Sequence, residues 1–260
     1  MKELVVRGRR SRLAPVLLLL LALALTGALY AALRPAGAVA TVAGSDDVAA
    51  GHDLFRSNCS TCHGVDAQGN DVGPALIGVG AASVDFQMKT GRMPMANNGP
   101  QAEARDPQFD DDQIAQIAAY VASLGPGPAV PTAAMVDPAG GNAALGMEIF
   151  RTNCAMCHNA VGAGGALSEG KHAPPLFNST PTEIYEAMAT GPQSMPVFND
   201  ANITPQEKQD VIAYLYAQRD TSVGGFSLGS LGPVSEGLWV WVVGIGGLIG
   251  IAVWIGAKSS

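Results

Sequence analysis

Gly51-His52-Asp53-Leu54-Phe55-Arg56-Ser57-Asn58-Cys59-Ser60-Thr61-Cys62-His63 returns later in the chain as Gly146-Met147-Glu148-Ile149-Phe150-Arg151-Thr152-Asn153-Cys154-Ala155-Met156-Cys157-His158. In both copies apolar residues recur at helical spacing before a Cys-x-x-Cys-His motif. All four cysteines of the 260-residue chain belong to these two motifs, so none remains for a structural disulfide framework. The repeat predicts two copies of one helical domain.

The similarity between the copies continues beyond the motifs. The matching segments are 73–76 with 173–176, Thr90-Gly91-Arg92-Met93-Pro94 with Thr190-Gly191-Pro192-Gln193-Ser194-Met195-Pro196, and 117–121 with 211–215. The last pair predicts a closing helix in each copy, with start signals at Asp110–Asp112 and at the capping box Thr204-Pro205-Gln206-Glu207. Strand signals are weak throughout, so the predicted fold class is all-α.

In an exported protein, Cys-x-x-Cys-His is the attachment signal for c-type haem. The two thiols can each form a thioether to the haem, and the adjacent imidazole becomes an axial iron ligand. The second ring nitrogen of such a histidine usually donates a hydrogen bond, for which the carbonyl of Pro74 or Pro174 is the expected acceptor. The sequence therefore predicts two covalently bound haem c groups, attached at Cys59 and Cys62 and at Cys154 and Cys157, with iron ligands His63 and His158.

Two other uses of the cysteines fit less well. A zinc site made from all four requires the pairs to converge, although they lie 95 residues apart in two copies of one domain. A thioredoxin-like dithiol requires a βαβ context, which the sequence does not predict.

The sixth iron ligand is expected from the loop that contains Met-Pro in each copy. Methionine sulfur raises the potential of haem iron and is typical of electron-transfer cytochromes c. The second loop offers Met195. In the first loop, matching the Met-Pro pair favours Met93, whereas counting from Thr-Gly without a gap favours Met95.

Four further methionines and histidines are not expected to bind iron. Met88 and Met188 correspond to each other at helical spacing and are expected in the core. His52 stands where the second copy has Met147, so it is not expected to ligate iron, and His172 is expected to be a polar loop residue.

Composition agrees with haem-filled cores. The chain is 48% hydrophobic and 14% charged but only 6% aromatic. Cores built mainly from aliphatic residues would be thin at this size, and a large apolar cofactor in each domain would replace the missing aromatic volume.

The ends of the chain predict membrane segments. Five basic residues in the first twelve precede an uncharged apolar run over 13–33, which is long enough to span a bilayer. A retained anchor is favoured, although Ala38-Val39-Ala40 also resembles a signal-peptidase site. A second run, Leu238 to Ala257, contains all three tryptophans and is followed by Lys258. Its Gly246 and Gly250 form a G-x-x-x-G pattern that is typical of packed membrane helices but is also common by chance.

Charge is distributed unevenly. Seven of the 15 basic residues and one of the 22 acidic residues lie at the two ends, which leaves eight basic and 21 acidic residues, or −13, between them. Such an acidic region disfavours nucleic acid as a partner. The basic N-terminus predicts a cytoplasmic start and an extracytoplasmic location for the repeats.

Beyond the haem motifs, three groups of segments are more specific. They are Leu76–Ala82 and Val84–Gln87 in the first copy, Gly191-Pro192-Gln193-Ser194-Met195-Pro196-Val197-Phe198 in the second, and Gly232-Pro233-Val234-Ser235-Glu236-Gly237-Leu238 before the last apolar run. With them, nearly the whole chain resembles the dihaem cytochrome c subunit of the actinobacterial-type cytochrome bcc complex, a menaquinol:cytochrome c reductase.

The resemblance implies two tandem class I cytochrome c domains with N-terminal and C-terminal transmembrane helices in the cell membrane. It implies haem ligands Cys59, Cys62, His63 and Met93, and Cys154, Cys157, His158 and Met195, with no separate catalytic residues. The implied partners are cytochrome b, the Rieske iron-sulfur protein, which would donate electrons, and a terminal cytochrome c oxidase, which would accept them.

The expected organisation follows the repeats and the apolar runs. A cytoplasmic N-terminus (1–12), a membrane segment (13–33) and a linker (34–45) precede domain 1 (46–126), a linker (127–139), domain 2 (140–222), a linker (223–236), a membrane helix (237–257) and a cytoplasmic C-terminus (258–260).

Two other functions remain open at this point. A dihaem peroxidase would need one haem with an open or labile sixth position. An electron-carrier subunit of another respiratory oxidase or dehydrogenase would keep both haems six-coordinate but would have different partners.

Overall fold

The structure, a computed structural model, describes residues 14–33, 44–97, 99–220 and 237–258. Its contacts divide the chain into two units, Met1–Val42 and Ala43–Ser260. Within the first unit, helix α1 (Ala14–Leu33) is apolar throughout. The Thr26 hydroxyl donates to the carbonyls of Ala22 and Leu23, which satisfies this polar group inside the helix.

The second unit contains the repeated domains. The first has helices α2 (Ser45–Asn58), α3 (Ser60–His63), α4 (Ala81–Lys89) and α5 (Asp111–Ser123). The second has α6 (Ala133–Val136), α7 (Ala143–Asn153), α8 (Ala155–His158), α9 (Pro181–Thr190) and α10 (Pro205–Asp220), with 3₁₀ turns at Pro138–Gly140 and Ser168–Gly170. Strands β1 (Gly165–Ala166) and β2 (His172–Ala173) pair in antiparallel fashion. The described residues are thus mostly helical, as the repeat predicted.

Both closing helices begin at the residues that the sequence indicated. Asp110 caps α5 by accepting from the Gln113 N–H, and the Gln113 side chain accepts from the Asp110 N–H in return. At α10, Thr204 Oγ1 accepts from the Glu207 N–H while the Glu207 carboxylate accepts from the Thr204 N–H. Such reciprocal bonds satisfy amides that a helix start otherwise leaves unpaired.

The first and last helices of each domain cross at a glycine. A Cβ on Gly51 in α2 would lie 1.9 Å from the Gln116 carbonyl oxygen of α5, and a Cβ on Gly146 in α7 would lie 1.9 Å from the Asp210 carbonyl oxygen of α10. One turn later, each pair of helices brings aromatic rings together: Phe55 with Tyr120 at 5.2 Å, and Phe150 with Tyr214 at 5.5 Å between centroids. The crossings place the start of each Cys-x-x-Cys-His motif against the closing helix.

The connection between the domains is attached at both ends. In its first part, the Pro128 carbonyl accepts from the Ala82 N–H at the start of α4. In its second part, α6 packs into the second domain's core through Val136, and the Gln209 amide of α10 donates to the carbonyls of Ala134 and Asp137. The sequence predicts only a linker here, because a four-residue helix leaves too short a periodic pattern.

Helix α11 (Gly237–Lys258) is the one described helix that is both long and apolar enough to cross a membrane. Its residues 240–245 are wound as a π-helix before an α-helix resumes over Gly246–Lys258. The Lys258 ammonium lies 4.8 Å from the Trp254 ring centroid, which places a cation and an aromatic ring together at one end. In the N-terminal helix, a shorter apolar stretch covers Ala14–Leu29.

Candidate haem-attachment sites

Each Cys-x-x-Cys-His motif begins where a long helix ends. Cys59 is the C-terminal cap of α2, and its carbonyl accepts from the N–H groups of Cys62 and His63 at 3.1 and 3.0 Å. The Cys154 carbonyl accepts from the N–H groups of Cys157 and His158 at 3.1 and 2.9 Å. This single turn places two thiols and an imidazole within five consecutive positions of a helical backbone, in the same way in both domains.

The two histidines are oriented by a backbone carbonyl. His63 Nδ1 lies 2.8 Å from the Pro74 oxygen, and His158 Nδ1 lies 3.1 Å from the Pro174 oxygen. A carbonyl can only accept, so Nδ1 carries the proton in each ring and the Nε2 of a neutral imidazole keeps its lone pair. Burial lowers the pKa of His158, which also favours the neutral ring. Both histidines therefore have the tautomer required to bind iron through Nε2, and both acceptors are the prolines expected from the sequence.

The cysteines lack the electrostatics of a redox-active dithiol. Burial, with the neighbouring thiol as a second cause, raises the pKa of Cys59 to about 11 and that of Cys154 to about 12. Redox-active Cys-x-x-Cys pairs depend on a thiol with a depressed pKa. Within the described ranges, no three His, Cys, Asp or Glu side chains are grouped so that they could hold a metal ion.

The Met-Pro loops bring methionine to the same apolar clusters as the cysteines. Met93 and Cys59 both pack against the core of the first domain, whereas Met95 is 40% exposed. In the second domain, Met195 packs against the cluster that contains the buried Cys154. The sulfur-bearing loop and the first cysteine of the motif thus pack against the same core in each domain.

Each loop is held at a defined place. In the first domain, the Met93 N–H donates to the Gln87 carbonyl, and Arg105 donates to the Pro94 carbonyl at 2.9 Å. In the second, the Phe198 N–H donates to the Met188 carbonyl at 2.8 Å. These bonds tie the loops to the ends of α4 and α9 and restrict where the methionines can lie.

Lys208 is a further contributor that the sequence analysis missed. Its side chain is fully buried in α10, and Nζ donates to Asp200 Oδ1 at 2.6 Å and to the Ile203 carbonyl at 2.8 Å, both in the segment after Met195. The equivalent position of the first domain is Ile114, which is equally buried. This departure from the repeat was the available signal, because a lysine at a core position needs a partner.

Met88, Met188, His52 and His172 lie outside the Cys-x-x-Cys-His motifs and the Met-Pro loops. Met88 and Met188 are buried in the two cores. His52 packs its ring against Tyr120 at 5.0 Å. The His172 N–H donates to Gln101 Oε1, and its ring lies 3.6 Å from Glu103, so His172 is located where the two domains meet.

The donor set fits a covalently attached haem c. Each domain combines two thiols, a histidine with Nε2 available and a methionine beside an aliphatic cluster that includes Leu76 or Leu176. Thioether attachment, imidazole ligation and a soft sulfur donor are the three functions that a haem c of an electron carrier requires.

Comparisons with known proteins agree with this chemistry. A family model described as "Cytochrome C oxidase, cbb3-type, subunit III" matches residues 46–121 and again 141–215. A cytochrome bc1 complex cytochrome c subunit of Corynebacterium efficiens is 45% identical over 97% of this chain and 92% of its own length. The subunit of the same name from Mycobacterium tuberculosis is 44% identical over 97% of this chain and 94% of its own.

A more distant relative covers less of the chain. The cbb3-type cytochrome c oxidase subunit FixP of Sinorhizobium medicae is 32% identical over 45% of this chain and 40% of its own length. The similarity to the bc1 complex subunits extends over both repeats and their flanks, and the chain therefore belongs to the family of cytochrome c subunits of the bc1 complex.

Proposed function

We propose that this electron-transfer subunit carries electrons from the Rieske iron-sulfur protein, through two covalently bound haem c groups, to a terminal cytochrome c oxidase. The observation that supports it best is the duplicated site, in which both histidines present Nε2 and both motifs have a methionine in the same apolar cluster. Two equivalent redox sites in one chain suit a relay between a donor and an acceptor.

The residue roles follow from the geometry. Cys59, Cys62, Cys154 and Cys157 would attach the two groups, His63 and His158 would be proximal ligands, and Met93 and Met195 would be the sixth ligands. A haem iron bound by histidine and methionine supplies one-electron transfer without an open coordination position. The protein's part is to hold the imidazoles at a fixed tautomer and to place the methionines, which are partly buried, against the core of each domain.

The cofactor count has a direct test. The purified full-length chain should contain two haem c groups, and Cys154→Ala with Cys157→Ala should remove one of them. A variant that retains both covalent haems would contradict the proposed attachment sites.

The partners are proposed from the relatives, whose names state that they are subunits of the bc1 complex. The test is affinity purification of the full-length subunit from membranes in mild detergent, followed by protein identification. Cytochrome b, the Rieske protein and a terminal oxidase should accompany it. Recovery with a dehydrogenase, or without cytochrome b and the Rieske protein, would overturn the proposed electron route.

We also propose that the repeats, at 46–126 and 140–222, lie outside the cytoplasm between two retained membrane anchors. Two segments support this topology: helix α11, and the apolar run over 13–33 that follows the basic N-terminus. The test is N-terminal sequencing of the mature subunit together with protease accessibility in intact cells. A mature chain that starts after Ala40 would overturn the first anchor.

A further inference from the structure

Two carboxyl groups meet where the two domains pack. Helix α4 of the first domain contacts helix α9 of the second, and Asp85 and Glu186 lie on the facing sides. Asp85 is 4% exposed and Glu186 is 1% exposed. Carboxylates are almost never buried to this extent unless something compensates their charge.

Both acids depart from the repeat. With Met88 matched to Met188, Asp85 corresponds to Tyr185 and Glu186 corresponds to Phe86. Each domain therefore keeps an aromatic residue at one of these two positions and has an acid at the other. The two substitutions meet across the domain boundary, and this is a reason to treat them as one feature.

The available positive charge is sufficient for one carboxylate only. Lys89 Nζ lies 3.0 Å from Asp85 Oδ1. Asp85 Oδ2 and both carboxyl oxygens of Glu186 are buried without a hydrogen-bond donor. One proton on Glu186 would both remove the uncompensated charge and create an O–H donor to Asp85.

The charged neighbours of Glu186 come from both domains. Asp85 and Lys89 face it from α4, and Glu183 lies one turn earlier on α9. The negative charge of Asp111 in α5 raises the pKa of Lys89. In α10, Lys208 is bonded to Asp200 and faces the Tyr185 ring, and the short helix α6 contains no titratable residue.

These surroundings favour the protonated acid. Burial, then the charge and hydrogen bonding of Asp85, raise the pKa of Glu186 to about 9, although Lys89 opposes the shift. The ordinary value for glutamic acid is 4.5. Glu186 is therefore neutral at pH values where a solvent-exposed glutamate would be ionised.

We propose that Asp85 and Glu186 form a proton-binding site between the two domains, in which one proton is shared by the two carboxyls and is taken up when the domains dock. The proton comes from solvent and no bond other than O–H is made or broken. The site does not depend on which proteins exchange electrons with this subunit, so it can fail or succeed independently of the proposed electron route.

The pH dependence follows from the sign of the shift. Docking raises the pKa of Glu186, so its contribution to docking is complete below the unperturbed pKa of 4.5 and is lost as pH rises through about 9. Between these values the docked form binds more protons than the separated form, and rising pH weakens docking.

The decisive measurement is infrared difference spectroscopy of the full-length, haem-loaded subunit in detergent, with the carbonyl stretch of a protonated carboxylic acid as the readout. The wild type should show this band at neutral pH and lose it above pH about 9. Glu186→Gln should lack the band at neutral pH. Glu183→Gln is the matched control and should retain the band. Glu183 forms a capping box with Thr180 at the start of α9, and glutamine can replace glutamate in such a box.

A second variant tests whether the proton is shared. In Asp85→Asn, Lys89 is free to pair with Glu186, so the band should disappear at neutral pH although Glu186 is still present. A band that persists in Asp85→Asn or in Glu186→Gln, or that is absent from the wild type at neutral pH, overturns the proposal.

Thermal unfolding gives an independent readout. Glu186→Gln should unfold at a higher temperature than the wild type at neutral pH, and the difference should shrink as pH falls toward 4.5. A difference that does not change with pH would contradict the proton site.

Discussion

A single backbone carbonyl decides which nitrogen of each motif histidine is available. Because Pro74 and Pro174 cannot donate, the imidazoles of His63 and His158 are restricted to one tautomer before any ligand is bound. The chain thereby supplies an oriented nitrogen donor in both domains.

The first prediction separates Met93 from Met95. Met93→Leu should abolish the methionine-to-iron charge-transfer band of one ferric haem, about half of the total, and lower that haem's potential, because a thioether favours ferrous iron. Met95→Leu is the control and should leave the band intact, since Met95 is exposed. Met195→Leu should remove the other half.

The outcome that would contradict this assignment is specific. If Met95→Leu removes the band and Met93→Leu leaves it, the iron ligand lies two residues later than the Met-Pro match indicates. An unchanged potential in Met195→Leu would remove that residue from the ligand set.

The second prediction concerns Lys208. Lys208→Met should destabilise the second domain by about 1–3 kcal/mol, because the Ile203 carbonyl and the Asp200 carboxylate lose a charged donor. The methionine–iron band should be lost at a lower temperature than the helical circular dichroism signal. The matched control, Ile114→Met at the equivalent apolar position, should cost less than about 1.5 kcal/mol.

Coincident loss of both signals in Lys208→Met would show that the lysine stabilises the whole domain and does not specifically hold the segment after Met195.

At the scale of the elements, each domain depends on one crossing of two helices. The crossing at Gly51 or Gly146 is so close that a methyl group would overlap a backbone carbonyl, and a backbone atom cannot move aside as a flexible side chain can. The Phe–Tyr contact beside it then fills the space between the helices. The end of the first helix is thereby positioned, and with it the first cysteine.

The third prediction tests this crossing. Gly51→Ala or Gly146→Ala should destabilise its domain by about 1–3 kcal/mol through overpacking, measured by thermal or denaturant unfolding. Gly44→Ala is the control, because its Cβ would meet only the Asp47 carboxylate at 3.6 Å. Equal stability of the two variants and the control would mean that the helices separate at little cost.

The elements that the sequence predicted well are those with local signals. The helices before the motifs, the capped closing helices and the Nδ1–proline bonds follow from spacing, capping residues and the repeat itself. Helix α6 and the partners of Lys208 were not predicted, because both depend on packing between segments far apart in the chain. The facing positions of Asp85 and Glu186 could not be inferred either, since nothing in either copy indicates how the two domains dock.

For the molecule as a whole, the docking of the two domains is specified by polar contacts as well as by α4 and α9. The His172 N–H donates to Gln101 Oε1 at 2.8 Å, and the Ala102 N–H donates to Gln193 Oε1 at 3.1 Å. Gln193 has a φ of 60°, a left-handed conformation that is unfavourable for a residue with a side chain. In each contact, a glutamine side chain of one domain accepts from a backbone N–H of the other domain. The two bonds together hold the domains in one relative orientation.

The fourth prediction tests this docking. The double variant Gln101→Ala with Gln193→Ala should weaken docking by about 1–3 kcal/mol, since each hydrogen bond contributes about 0.5–1.5 kcal/mol. Hydrogen exchange should accelerate in β2 and in residues 100–105, while both domain cores stay protected. Gln206→Ala, whose contacts lie within the second domain, is the control. Exchange that accelerates equally in the cores would indicate general unfolding.

The connection between the domains sets how far they can separate when these contacts break. Pro128 is attached to the first domain and α6 to the second, so only the four residues Ala129 to Thr132 connect these two points. A tether this short keeps each domain at an effective concentration on the order of millimolar or higher around its neighbour. An opened interface would therefore re-form rapidly in place, because the two domains cannot diffuse apart.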